Sequence, residues 1–277
     1  MTETSDFQIS NDAAEVYERL FVPALVGQWA EQIADAARIG ANDRVLDVGC
    51  GTGVLARAAA DRVELAKQVT GLDRNEGMLA VARRVRPQID WRQGDASALP
   101  FADNSFDVVV SQFALMYFSD RTAALTEMMR VLKPGGRLAI AVWGPFECAT
   151  SYIILTEIAQ RRCGQAAADV LTAPFVLGDK ERLVELFRSA GIDRIAIELR
   201  PGTMTFPSIA TFVESEVKGS PMEPLLDETS YRALVSEAEE KLRPFRTDRG
   251  TVVMPLDAFI ISADKADSGN LVPGTAE

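Results

Sequence analysis

The chain contains no histidine. That absence excludes a Ser-His-Asp triad, an imidazole general base and every metal site that depends on an imidazole ligand. Cysteine is scarce as well: Cys50, Cys148 and Cys163 are the only three, and none stands at metal-ligand spacing from another. Neither a zinc site nor a disulfide framework is expected, and a reducing compartment is. No window approaches the ~20 apolar residues that span a bilayer. The opening MTETSDFQIS is polar and acidic, without an apolar signal core. The expectation is a cytoplasmic protein without a membrane partner. Lys and Arg number 29 against 40 Asp and Glu, a net charge of −11. A surface of that sign repels phosphate backbones, so nucleic acid is not an expected partner. The richest basic stretch, around Arg83, Arg84 and Arg86, is short and reads as a solvated helix end.

What is present suits a substantial core: 277 residues, 47% hydrophobic and 25% charged. Residues 11–39 read as helical, with Val16, Leu20, Ile33 and Ala37 on repeating faces and Pro23 dividing the stretch. Strands are then expected at 44–48, 68–72, 89–93, 106–111 and 137–143, with helices at 54–63, 76–86 and 121–132. Strands alternating with helices indicate a parallel sheet covered on both faces. After residue 143 the rhythm loosens. Helices are expected at 151–163 and 179–190, the second stopped by Gly191, followed by a strand at 192–199. Helices at 207–217 and 227–242 and a strand at 258–263 precede a polar tail.

The informative segment is VLDVGCGTGVLA, residues 45–56. An apolar strand runs into Gly49, Gly51 and Gly53 and then into a helix. Glycines there permit a tight turn and let a ligand lie against bare backbone, with amides of the helix start available for polar contacts. The dinucleotide pattern GxGxxG fails, because Val54 stands where its third glycine belongs. A purely structural turn would not need three glycines after Asp47. Further on, the strand VTGL ends at Asp73, where an acid can accept from a ribose diol. Alone, Asp73 would read as a solvated strand end; its place after the glycine loop reverses that. The segment WRQGDA puts Asp95 at the end of the third strand, within reach of an adenine amino group. Ligands of open α/β sheets bind at this edge, so three strand ends make one site.

These residues resemble the class I S-adenosylmethionine-dependent methyltransferases. Residues 45–56 are similar to the family's glycine-rich first motif, and Asp73 to its ribose-binding acid. Gly94, Asp95 and Ala96 with Leu99, Pro100 and Phe101 resemble the adenine loop, FDVVVSQFAL the fourth motif, and LKPGGRL the turn into the fifth strand. The resemblance runs in order from 43 to 143 and is looser beyond. It implies a Rossmann-like α/β fold: a seven-stranded, mostly parallel sheet with helices on both faces, a seventh strand antiparallel between the fifth and sixth, and a helical lid inserted late in the chain. The division it suggests is an N-terminal helical cap over 1–42, an S-adenosylmethionine-binding core over 43–143, remaining strands with lid and substrate insertions over 144–265, and a disordered tail over 266–277.

Residue by residue, the resemblance places Asp47, Gly49, Cys50 and Gly51 at the methionine portion. It sets Asp73, Arg74 and Met78 beside ribose and adenine, Asp95 and Ala96 at the adenine edge, and Gln112 close to the sulfonium. Tyr17 is a contact to the amino-acid end or an ordinary packing tyrosine. The fourth strand continues Ser111-Gln-Phe-Ala and lacks the Asp/Asn-Pro-Pro-aromatic signature of amino-group methylases. A sulfonium methyl is already electrophilic, so transfer driven by proximity without a histidine base is expected. Tyr117 is the one nearby candidate for a base, with packing under the lid as its competing reading. The acceptor is expected to be small and partly apolar, held by residues drawn from Trp143, Phe146, Tyr152, Phe175, Met204, Phe206, Phe212 and Met222. S-adenosylhomocysteine would be the product. The competing functions are a non-catalytic S-adenosylmethionine-binding module and a nicotinamide-dependent dehydrogenase. Whether the protein is a monomer or a homodimer, and whether O, N, C or S is methylated, stays open.

Overall fold

Four buried residues in succession make β1 (Val45–Val48) a strand that must be covered on both faces. In the computed structural model, which describes residues 11–267, it lies in the interior of the sheet. It pairs in parallel with β2 (Val69–Asp73) on one side, and β3 (Asp90–Gln93) pairs with β2 in turn. On its other side lies β4 (Phe106–Gln112), followed by β5 (Leu132–Trp143), both parallel. The strands β6 (Ala196–Arg200), β7 (Thr203–Phe206), β8 (Val252–Pro255) and β9 (Ala258–Asp264) follow in the chain. Seven strands form one sheet in the order β3-β2-β1-β4-β5-β9-β6, with β9 antiparallel between β5 and β6. This is the Rossmann-like α/β sheet that the resemblance implied.

Helices flank the sheet as the alternation requires. The first, α1 (Asn11–Val16), runs through a π-helical segment, Tyr17–Val26, into α2 (Gly27–Ala36). Pro23 lies inside the π segment and does not divide the stretch. A π turn absorbs what proline withholds, its missing N–H and the clash of its ring with the turn before. Next come α3 (Val54–Ala60), α4 (Glu76–Val85) and α5 (Arg121–Val131). Asn75 and Asp120 cap the last two, their side chains accepting from the amides of Met78 and Ala123.

Beyond β5 the chain forms α6 (Thr150–Cys163), α7 (Gln165–Thr172), α8 (Lys180–Ser189), α9 (Ile209–Lys218) and α10 (Glu228–Lys241). Gly191, at φ +77°, ends the α8 turn as expected. Three features differ from the sequence reading. β5 begins at Leu132, because the Lys-Pro-Gly-Gly turn joins the ladder through a register shift opposite Phe106 and Val108. α7 was not foreseen. Nor was the two-stranded sheet of β7 and β8, which packs on the π segment while the side chain of Gln28 bonds the backbone of Thr203. The tail expected over 266–277 lies outside the described residues from 268 onward, as do residues 1–10 of the N-terminal cap. No helix among the described residues is long and apolar enough to cross a membrane.

Trp91 of β3 fixes the inner face of the glycine loop. A Cβ added at Gly53, where φ is +89°, would lie 2.3 Å from the Trp91 ring; one added at Gly51 would meet nothing within 4 Å. Gly53→Ala is therefore expected to cost about 2–3 kcal/mol, from backbone strain and overpacking together. Gly51→Ala should cost about 1 kcal/mol, from strain alone. Urea unfolding midpoints measure the difference, and equal losses would contradict it.

Candidate functional site

The carboxyl ends of β1, β2, β3 and β4 open onto one edge of the sheet, and the loops there are held by backbone bonds. The amides of Gly49 and Cys50 both donate to the Leu72 carbonyl, at 2.8 and 3.0 Å. Gly49, at φ +71°, has no room for a side chain, since a Cβ would come within 2.4 Å of that of Ala114. The Asp73 carboxylate braces two loops: Oδ2 accepts from the Gly51 amide at 2.7 Å and Oδ1 from the Asn75 amide at 2.8 Å. Burial pushes the Asp73 carboxyl up, and those amides pull it part of the way back. Gly51 itself turns bare backbone toward open space.

Asp47 is the exceptional residue. It occupies a fully buried strand, is 1% exposed, and neither carboxylate oxygen has a hydrogen-bond partner among the described residues. Burial drives its pKa up to about 8; the Ala56 backbone opposes this, the Asp73 charge adds to it, and Arg57 opposes it. Arg57 is committed elsewhere, pairing with Glu18 of the π segment at 2.9 Å and donating to the Thr52 carbonyl. Cys50 is buried alongside, its thiol pushed up by burial and by Asp73 and Asp47.

The other residues singled out from the sequence take distinct places. Tyr17 begins the π segment, stacks on Phe21 at 5.4 Å, and packs with Met78, Ala14 and Val81. Its hydroxyl is held in the protonated form by burial, with the charges of Glu18, Asp73 and Asp47 adding to the effect. Tyr17 thus lies over the β1 and β2 ends. Arg74 is exposed, and its carbonyl accepts from Gln93. Asp95 closes its own turn, accepting from the Ser97 amide and hydroxyl at 2.8 and 2.6 Å, bonds that hold its carboxyl below the usual range. Ala96 is buried behind it. Gln112 donates to the Val26 carbonyl at 2.8 Å, and its own buried oxygen has no partner among the described residues. That bond and the Arg57–Glu18 pair fasten the N-terminal helix over the sheet edge. Phe113 next to Gln112 adopts φ +52°, strained for a non-glycine residue, and stacks on Trp143 at 3.6 Å between ring centres.

The segments after β5 bring a second group together. Tyr152 packs edge-on against Phe175 and Phe212, at 5.1 and 5.7 Å, and Phe206 lies against Phe212. Met204 and Met222 are fully buried. Among these rings lies a residue that the sequence reading missed, Glu216 of α9. It is buried, accepts from the Tyr152 hydroxyl at 2.7 Å, and is raised to about 7 by burial against the pull of that bond. A signal was available. Ile209, Phe212, Val213 and Val217 form the apolar stripe of α9, and position 216 falls on it. Tyr117 is 40% exposed, yet its hydroxyl stays protonated through burial at that end, with Tyr17 and Glu216 adding to the effect.

Residues 46–140 match the model of a family described as a methyltransferase domain. The chain is 39% identical over 174 residues to the demethylmenaquinone methyltransferase of Renibacterium salmoninarum, covering 59% of this chain and 72% of the relative. A demethylmenaquinone methyltransferase of Streptomyces avermitilis is 32% identical over 203 residues, 67% of this chain and 85% of the relative. Among solved structures, Haemonchus contortus phosphoethanolamine N-methyltransferase 2 in complex with S-adenosyl-L-methionine superposes with a TM-score of 0.57 at 24% identity. The match covers 93% of this chain and 58% of that one, and it speaks to the fold.

The elevated carboxyl of Asp47 has a consequence for stability. A folded-state pKa above the unfolded one means that the fold binds the proton more tightly, so stability is full at low pH and is lost as pH rises toward about 8. Glu216 and Asp73 act in the same direction, whereas the lowered Asp95 has finished titrating below that window. The ligand-free protein should therefore lose several degrees of melting temperature between about pH 5 and about pH 8. Asp47→Asn should remove part of that loss. A variant whose melting temperature falls as steeply as wild type would contradict the assignment.

Proposed function

The chain belongs to the class I S-adenosylmethionine-dependent methyltransferases, and from that premise we propose how its residues divide the work and what it methylates. The observation that carries the proposal is the buried, unpartnered Asp47 carboxylate beside the open backbone of Gly51. A buried anion needs a cation, and the α-ammonium of the methyl donor is one that enters with the ligand. Gly49, Cys50 and Gly51 line the methionine portion on this reading, with Tyr17 above its amino-acid end. Asp73 keeps a lone pair on each oxygen for the ribose diol, flanked by Arg74 and Met78. Asp95 and Ala96 face the adenine edge, and the free oxygen of Gln112 faces the sulfonium. These residues fit the donor on the strength of their chemistry.

When bound, the donor supplies an electrophilic methyl group. The protein's own task is alignment and exclusion of water, to which orientation can contribute ~7–11 kcal/mol. For the acceptor we favour a small, partly apolar ring held between the N-terminal helix and the helices after residue 143, which would serve as the lid. The buried aromatic and methionine side chains there support an apolar acceptor. The names of the two relatives support a reduced naphthoquinone ring as the first to try. The acidic charge balance supports action on small molecules, in the cytoplasm, over nucleic acid.

Calorimetric titration with S-adenosylmethionine and S-adenosylhomocysteine tests the donor site. Wild type should bind both in the micromolar range. Asp73→Ala should weaken binding about 10- to 100-fold, the size of a charged hydrogen-bond pair. Undiminished binding in the variant would remove Asp73 from the site, and no binding by wild type would remove the site.

A further inference from the structure

Glu216 is a buried carboxylate that the donor site does not use. Its Oε1 accepts from Tyr152, and its Oε2 has no hydrogen-bond donor among the described residues. It stands on the acceptor side of the sheet edge by a continuous line of contacts. The turn Leu115–Tyr117, just past β4, packs on the turn Ala173–Phe175; Phe175 lies against Tyr152, and Tyr152 holds Glu216. From the other side α9 packs on α1 and on the π segment that carries Tyr17. Among these neighbours Tyr152 acts on Glu216, and Glu216 in turn acts on Tyr117; both hydroxyls are held protonated. Of the titratable groups of α10, Tyr231 responds to Glu214, Lys218 and Glu228 and not to Glu216, and β7 contributes the apolar Met204 and Phe206.

We propose that Glu216 is the proton acceptor of the methyl transfer, its Oε2 taking the proton from a hydroxyl of the acceptor ring while Tyr152 is the positioning residue that holds the carboxylate. The inference rests on the reading of the acceptor as a hydroxylated apolar ring. The reaction balances as follows. The ring hydroxyl gives its proton to Glu216. The ring carbon forms the new bond to the methyl carbon as the bond from methyl to sulfur breaks, with the electron pair left on sulfur. The ring carbon then releases its own proton to water, and the oxygen recovers the proton that Glu216 holds. A carboxylate raised by burial to about 7 is a better match to this task at neutral pH than an ordinary one. Tyr117, held protonated, is suited to donate a hydrogen bond and not to accept a proton.

The experiment uses the full chain under anaerobic conditions with 1,4-dihydroxynaphthalene as acceptor. Methyl transfer is followed with labelled S-adenosylmethionine, and binding of the diol to the S-adenosylhomocysteine complex is followed by calorimetry across pH. Glu216→Gln, nearly isosteric, should bind S-adenosylhomocysteine as wild type does and lower kcat about 10²–10⁴-fold. In wild type, kcat and diol affinity should rise with pH through about 7, and both dependences should vanish in Glu216→Gln. Tyr152→Phe removes the bond that favours the carboxylate, so the rise should move to higher pH. Diol binding with that dependence but without methyl transfer would count against the quinol as acceptor and leave Glu216 as the group that takes its hydroxyl. Equal rates and equal pH dependence in wild type and Glu216→Gln, or no diol binding by wild type, would overturn the proposal.

Discussion

A carboxylate in the middle of a fully buried strand, with a second carboxylate at the end of the neighbouring strand, is the constraint around which this molecule is arranged. The Asp73 charge opposes ionisation of Asp47, from which solvent is excluded, and Asp73 itself is half-buried. Arg57, the basic residue whose charge acts on Asp47, is occupied by Glu18 and the Thr52 carbonyl. Asp73 draws on loop amides, whereas neither Asp47 oxygen has a hydrogen-bond partner among the described residues. An arrangement this costly is retained where something else supplies the opposite charge. On the proposed reading that charge enters beside the open backbone at Gly51, under Tyr17.

The two halves of the proposed site rest on different physics. The donor half is built of backbone: positive-φ glycines, amides paid out to Leu72 and Asp73, and a tryptophan that forbids side chains on the inner face of the loop. The acceptor half is built of side chains from α6, α9 and the small β7-β8 sheet, whose rings interlock around Tyr152. The N-terminal helix joins them. It is fastened to the sheet edge through Gln112 and Arg57 and to the second half through α9 and β7. Excluding water at this junction strengthens every electrostatic contact inside it, whether between charges or between a carboxylate and a hydroxyl.

The glycine loop and the parallel strand ends around it were legible in the sequence because their demands fall on residue types. Only glycine takes those backbone angles without a side chain, and alternating apolar runs set the parallel strands in order. The seventh strand between β5 and β6 followed from the resemblance and not from periodicity, since β6 and β9 carry no mark of their pairing. The β7 and β8 strands escaped notice because four residues are too few for a period to declare itself, and Pro255 disguises the second. α7 has Gly164 at its N-cap and no capping side chain, so it carried no start signal. Pro23 read as a break because the π turn that accommodates it has no sequence pattern of its own. Glu216 could have been read from the α9 stripe. That Asp47 lacks a partner could not, because an unpartnered oxygen is a property of the folded neighbourhood.

The most direct test of the central claim is the proton balance of donor binding. S-adenosylhomocysteine is titrated into the protein near neutral pH, in buffers of different ionisation enthalpy, for wild type and Asp47→Asn. If the ligand's ammonium is the partner that Asp47 lacks, the carboxyl ionises on binding and about one proton is released to buffer, a release that disappears in the variant. Tight binding by wild type with no proton released would contradict the account.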